Sequence, residues 1–429
     1  MLTLLLLAHA HAAEVGGYFR LMARPDLVGG DGRLGTSPFY GRLLNEGPWG
    51  LLDVRQSLVK GGPDAPWGAL TLRVEGGAVG NGDPTNGSLL GFRVSQLYLT
   101  AGNLGPAHTT WRFGTLETTF GDLWLYDARP TQMLVDVLGA SATWANGGTE
   151  VVLGAGDAGW AVRGARYHLV VSAGGSVRRK GEHAEVGIGG QAWYEPADGD
   201  PDGPHDTDGL TLADLADPAA WASGHPGPAG HATRGLGWKL AGTFGFGGAG
   251  ALRWNRLQVI VARRLPDAPL VAEVEGAEVR LGAAALTDQR HELTVGDEVE
   301  LVLVPDRLEL AAAAIFEHRF DPDDRRATSA TWRTAASAVV RAQLALTPYV
   351  SLLGETSLAR EVARAPAVKD TWQGKAGVVL SPAGTGLGAR PALRALYGVQ
   401  RCSLPGAWPG AASGGRWHQL VSLEAEAWF

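Results

Sequence analysis

Residues 417–429 read Trp-His-Gln-Leu-Val-Ser-Leu-Glu-Ala-Glu-Ala-Trp-Phe, and the alternation in this stretch decides the fold. Trp417, Gln419, Val421, Leu423, Ala425, Ala427 and Phe429 share one face of an extended chain. His418, Leu420, Ser422, Glu424, Glu426 and Trp428 share the other. Successive side chains of a strand point to opposite faces, so one face here is largely apolar and the other mostly polar. A strand with lipid on one side and water on the other has this requirement. The chain also stops on an aromatic, Phe429, the mark by which bacterial outer-membrane barrels are recognised for insertion.

The same period runs through the chain. Leu70, Leu72 and Val74 oppose Thr71, Arg73 and Glu75. Leu236, Trp238, Leu240, Phe244 and Phe246 oppose Gly235, Gly237, Lys239, Ala241 and Thr243. Trp372, Ala376, Val378 and Leu380 oppose Thr371, Gln373 and Lys375. There are 18 or 19 such segments, starting near residues 15, 48, 67, 92, 109, 132, 149, 160, 183, 235, 250, 270, 290, 307, 333, 348, 371, 390 and 416. Connections alternate between tight and long. Gly156–Gly159, Pro305-Asp306 and Thr347-Pro348 read as periplasmic turns, and 24–47, 78–91, 196–232 and 401–415 as outer loops.

Composition agrees. Only 19% of the 429 residues are charged, against roughly 25% in an ordinary globular domain, while glycine (62) and tryptophan (15) are abundant. Spreading apolar residues over alternate positions leaves the average hydropathy near neutral. A soluble β-sandwich is the competing reading, but it carries more charge outside and fewer long strands. One cysteine, Cys402, excludes a disulfide scaffold. The net charge of −7, with no basic run beyond three residues, argues against a nucleic-acid partner. No interior stretch approaches the ~18 apolar residues of a membrane helix.

At the N-terminus, Leu2–Ala8 is apolar and is followed by Ala8-His9-Ala10 and Ala10-His11-Ala12, both cleavage-type sequences. Residues 1–13 read as a signal peptide without a basic flank, and 14–429 as one barrel domain of the bacterial outer membrane. The segment 196–232 is rich in Asp, Pro, Gly and His. Its Asp198-x-Asp200-x-Asp202-Gly203 opens like a calcium loop, but Gly209 stands where the bidentate Glu belongs. A solvated acidic loop is the plainer reading, and no metal or cofactor is expected. No G-x-S-x-G or other nucleophile motif is present, so no enzymatic activity is expected.

Short motifs in order along the chain resemble the maltoporin family of carbohydrate-specific porins. They are Gly17-Tyr18-Phe19-Arg20, Arg42-Leu43-Leu44-Asn45-Glu46, Phe92-Arg93, Glu117–Asp127 (ETTFGDLWLYD), Trp254-Asn255-Arg256, Arg390–Arg394 and the terminal Trp428-Phe429. Residues 140–235 are not matched. The resemblance implies an all-β, antiparallel transmembrane barrel of about 18 strands, trimeric, with long outer loops and one or more loops folded into the pore. It also implies a line of aromatics on which sugar rings stack. Matched by position and parity, that line comprises Tyr18, Trp49, Trp124, Trp254 and Trp428. Arg20, Arg42, Asp53, Arg93, Glu117 and Asp122 form the polar track and constriction, with Glu117 and Asp122 expected to face Arg20, Arg42 or Arg93. The family's basic residue before the first acid is Thr115 here. An interfacial belt position is the alternative for each tryptophan.

The expected function is sugar-selective passive diffusion of (malto-)oligosaccharides by a homotrimer in outer-membrane lipid. A general or anion-selective porin is the alternative, and an enzyme or adhesin on a barrel scaffold comes third.

Overall fold

The computed structural model describes residues 13–30, 32–35, 39–61, 65–77, 92–126, 129, 131–158, 169–195, 235–264, 270–274, 277–281, 291–320, 332–363, 368–406 and 414–429. Twenty strands follow one another: β1 (Glu14–Ala23), β2 (Trp49–Val59), β3 (Trp67–Gly77), β4 (Phe92–Gly102), β5 (Thr109–Thr118), β6 (Met133–Asn146), β7 (Thr149–Asp157), β8 (Val171–Lys180), β9 (Ala184–Glu195), β10 (Gly235–Ala249), β11 (Leu252–Arg263), β12 (Leu270–Val274), β13 (Ala277–Leu281), β14 (His291–Val304), β15 (Leu308–Phe320), β16 (Trp332–Ala345), β17 (Val350–Ala363), β18 (Lys369–Leu380), β19 (Ala392–Cys402) and β20 (Trp417–Trp428). Eighteen of them form one antiparallel sheet in chain order, and β1 pairs with β20 to close it. Among the described residues, the strands β12 and β13 pair with each other alone.

Closure follows from the solvent. Lipid offers no hydrogen bonds, so an unpaired strand edge is untenable there and the sheet must return on itself. The seam is made by Tyr18 opposite Trp428 and Arg20 opposite Glu426. Gly17 N–H donates to Phe429 O (2.9 Å), and Phe429 N–H donates to Gly17 O (3.1 Å). Outward positions carry exposed apolar residues such as Leu153, Ile188, Leu240, Leu358 and Leu423. The polar alternates, among them Gln258, Glu355, Lys375 and Glu424, are buried on the inside. The expected barrel and its lipid-facing alternation are therefore present.

Three expectations need correction. The segment near 270 is a small hairpin, not a wall strand. The strand start expected near 160 lies outside the described residues, and the next described strand, β8, begins at Val171. Gly156 and Asp157 belong to β7, whose tight turn lies at its other end, at Gly147-Gly148, and Gly159 lies outside the described residues. Residues 24–47 enter the barrel instead of standing outside it, as described below. The expected signal peptide (apart from Ala13), Asp127 and the acidic loop 196–232 lie outside the described residues.

Gly17 has no room for a side chain: an added Cβ would stand 2.5 Å from the Phe429 ring and 2.6 Å from Leu51 O. Leu51 O is backbone and cannot turn aside. Gly17→Val is expected to cost about 1–3 kcal/mol through overpacking of the seam, read as a lower urea midpoint for the refolded barrel. An unchanged midpoint would contradict this account of the closure.

Candidate functional site: the channel lumen

Among the described residues, two connections fold inward and line the lumen. The first, between β1 and β2, runs along the inner faces of β16–β20. Leu34 and Leu44 pack over Gly398, where any side chain would collide with both. Asn45 donates to Gln373 Oε1 (3.0 Å), which in turn donates through Nε2 to Gln400 Oε1 (2.8 Å). Tyr40 O accepts from Lys375 Nζ at 3.0 Å and from Ser357 Oγ at 3.1 Å. Gly41 follows with φ +75, and a Cβ there would meet Val339 at 2.9 Å, so glycine serves both the left-handed backbone and the close approach.

Below Tyr40 lies a buried charge triad. Glu355 receives Lys375 Nζ at 2.7 Å and Arg341 Nε at 2.6 Å. All three side chains are 3% exposed or less. The extra positive charge is directed at the Tyr40 carbonyl and, through Arg341, at the Trp124 ring 5.1 Å away.

The second connection joins β5 to β6. Phe120 packs on Gly187 and Gly189 of β9, and Leu123 on Gly296 of β14. Leu125 N–H donates to Glu298 Oε2 at 2.9 Å. Tyr126 OH lies 3.3 Å from both Ala313 O and Ser337 Oγ. The two connections meet where Arg42 N–H donates to Leu125 O at 2.9 Å. Phe39, Tyr40, Leu123, Leu125 and Tyr126 then form one apolar layer against Ala313, Ile315 and Val339. A loop folded into the pore was expected over Glu117–Asp127. That the 24–47 connection, read as an outer loop, also turns inward was not.

The wall beside this layer is cationic. Glu426 is reached by Arg394 (2.6 Å), Arg390 (2.7 Å), Arg42 (3.3 Å) and the Tyr18 hydroxyl (2.9 Å). Arg20 and Arg42 share Glu46, and Arg24 lies 3.8 Å from Glu424. Five guanidiniums thus meet three carboxylates on β1, β19, β20, the first inward connection and the connection between β18 and β19.

The proposed track residues separate into groups. Tyr18 and Trp428 are in contact, ring centroids 4.4 Å apart at 39°. Trp49 sits opposite Arg20 on the neighbouring strand. Trp124 donates to Glu300 Oε1 at 2.6 Å. Trp254 lies over the bare backbone of Gly245 and Gly247, with Glu300 opposite it in register. These rings do not follow one side of the lumen. Around the ring of strands, β11 is eight steps from β1 one way and ten the other, so Trp254 stands across from Tyr18 and Trp428.

The charged residues are also partnered differently from expectation. Asp53 forms a two-pronged pair with Arg73 (2.7 and 2.9 Å). Glu117 accepts from Gln96 and Gln132 and acts electrostatically on Arg73 and Arg112. Asp122 lies 4.0 Å from Arg129, and its carbonyl accepts from Arg256 at 2.9 Å. Arg93 stands opposite Glu75 in register, and its side chain lies outside the described residues. Parity assigns a face but not a position around the ring, which is why the partners were misassigned. Arg73, Arg112, Arg341, Glu355, Lys375 and Glu426 were not among the expected site residues. The usable signal was glycine at inward positions (Gly187, Gly189, Gly296 and Gly398), each marking a place where another segment approaches the wall.

No protein-family model matches the chain, and no curated protein matches it. Solved structures do. A BenF-like porin from Pseudomonas fluorescens Pf-5 superposes with a TM-score of 0.51 at 8% identity, covering 98% of this chain and 100% of that one. The outer membrane channel DcaP of Acinetobacter baumannii superposes with a TM-score of 0.50 at 11% identity, covering 97% of each. The chain has the fold of the outer-membrane porins, and its closed barrel with an apolar exterior is that of a bacterial outer-membrane protein.

Two predictions follow from the anchors of the first inward segment. Glu355→Gln leaves Arg341 and Lys375 buried without a counter-charge and is expected to cost about 3–5 kcal/mol, measured by urea unfolding in lipid vesicles. Near the rim, Asp26 Oδ2 meets His418 Nε2 at 2.6 Å. Burial pushes the Asp26 carboxyl up, but hydrogen bonds from the backbone of Gly30 and Val28 and from His418 outweigh it and hold it below its ordinary value. A lowered folded pKa makes this contact fully stabilising above about pH 4 and lost as pH falls through the folded value. Current noise from the segment is therefore expected to be flat from neutral pH to about pH 4 and to rise below it. Asp26→Asn should show the noisy state throughout, as single-channel recording would reveal.

Proposed function

We propose that the chain is a passive, anion-preferring diffusion channel for small hydroxylated solutes. The observation that carries this is the guanidinium excess around Glu426, in a chain whose total charge is −7. Composition would make an acidic lumen, so the local sign is a property of the site. Anions passing this wall exchange hydration for charge-assisted hydrogen bonds from Arg42, Arg390 and Arg20. Carboxylates already shared among the arginines keep each site weak enough to release its solute. No chemistry is performed. Residues 1–13 as export signal and a homotrimeric assembly belong to the same reading.

A second reading, (malto-)oligosaccharide selectivity, is favoured by the Tyr18–Trp428 pair. Its two rings offer a platform beside Glu426 and Arg42, an apolar face next to hydroxyl partners. Trp254 on the far wall does not extend it.

Both readings are tested in one planar-bilayer experiment. Under a KCl gradient the reversal potential should show anion preference, and Arg42→Gln with Arg390→Gln should cut the anion/cation permeability ratio about 2-fold or more. Cation preference in the unmodified channel contradicts the proposal. Oligosaccharide block that weakens about 2- to 12-fold in Trp428→Ala would support the second reading, and absence of block would remove it.

A further inference from the structure

The outer surface of the barrel carries a second arrangement, at the loop-bearing rim of β16–β20. Outward positions of four adjacent strands stand side by side: Leu358 faces Trp372, Trp372 faces Arg401, and Arg401 faces Trp417. One pair nearer the rim, Arg360 faces Asp370, with Nε 3.3 Å from Oδ1. On the other side of β17, Ala338 and Ala336 lie opposite Leu358 and Arg360. Their methyl groups leave a trough. A cleft of about 690 Å³ runs from these alanines past Trp372 to Arg401, Ser403 and Arg416.

The wall of the cleft is fixed. Trp372 donates its indole N–H to Thr356 Oγ1 at 3.1 Å, and its ring lies against Gly374, where a Cβ would come within 3.0 Å of it. The Arg401 guanidinium lies 5.8 Å from the centre of the Trp417 ring. Among the described residues, neither Arg401 nor Arg416 has a carboxylate partner. The cleft therefore holds three guanidiniums and one carboxylate, Asp370, which pairs with Arg360, on a surface whose next rows are apolar.

Position narrows what meets those charges. Tryptophans at this level mark the membrane–water interface, and the long connections put this rim on the external side. At that depth the available anions are lipid headgroups, and a guanidinium matches a phosphate with two parallel hydrogen bonds. The geometry points to a binding site for a phosphorylated, multiply acylated lipid of the outer leaflet. Its phosphate sits on Arg401 and Arg416. One acyl chain lies along Ala336, Ala338 and Leu358 against the Trp372 ring. The site is independent of what passes through the lumen.

The test uses the full chain purified in detergent. It is titrated with a diphosphorylated, hexa-acylated glucosamine disaccharide lipid, with the same lipid after phosphatase treatment, and with inorganic phosphate. Retained lipid is read by native mass spectrometry. The phosphorylated lipid should bind about tenfold or more tightly than the dephosphorylated one. Arg401→Gln with Arg416→Gln should abolish that difference, and millimolar inorganic phosphate should not displace the lipid. Equal binding of both lipids by the unmodified protein would overturn the site. So would full displacement by inorganic phosphate, or undiminished binding by a double variant that keeps the heat-modifiable migration of a folded barrel. The comparison of lipids needs no variant, so it stands even where the double variant fails to insert.

Discussion

A chain in lipid has no external partner for its backbone, and everything else in this structure depends on that constraint. It forces the strands into a closed ring, and it forces polar side chains off the outer face. With strict alternation the displaced half has one destination, the lumen. The interior therefore collects the charged side chains, such as Glu355, Lys375, Arg394 and Glu426. The two inward connections answer this. They bring Glu46, carbonyl groups such as Tyr40 O, and an apolar layer of Tyr40, Leu123, Leu125 and Tyr126 against the inner wall.

The charges then divide by exposure. Glu355 with Arg341 and Lys375 is sealed beneath Tyr40 and acts as an anchor. A buried group of this kind adds little net stability but is costly to break, so it fixes one arrangement. Glu426 with Arg42, Arg390 and Arg394 is built on the same plan, a carboxylate outnumbered by cations. It lies where Arg42 and Arg390 keep some exposure (15% and 12%) and can meet a solute. One motif of shared carboxylates thus holds the inward segment in one place and sets the sign of the lumen in another.

Much of the fold was legible because alternation is a local property. In β20, inward His418, Ser422, Glu424 and Glu426 and outward Trp417 and Leu423 are as the pattern requires. The hairpin β12–β13 misled because two short alternating runs resemble a wall strand until pairing is known. The site was less legible. Parity placed Tyr18, Trp254 and Trp428 on the inner face but carried no angular information, so rings on opposite walls read as one line. Arg20 and Arg42 were assigned to Glu117 and Asp122, yet their partners arrive on Glu46 and Glu426. Those contacts depend on where a 25-residue connection folds (residues 24–48), and its only trace in the wall is an absent side chain, as at Gly398.

The central claim is that the β1–β2 segment lies against the inner wall while the channel conducts. A cysteine pair tests it most directly: Leu44→Cys with Gly398→Cys, two positions whose side-chain space overlaps, since a Cβ at Gly398 would stand 2.4 Å from Leu44 Cδ1. The pair is oxidised in the folded protein and single-channel conductance is compared before and after. Ready cross-linking with conductance unchanged is the expected result. Failure to cross-link in a folded barrel, or a collapse of conductance once the bond forms, would show that the conducting pore is arranged otherwise.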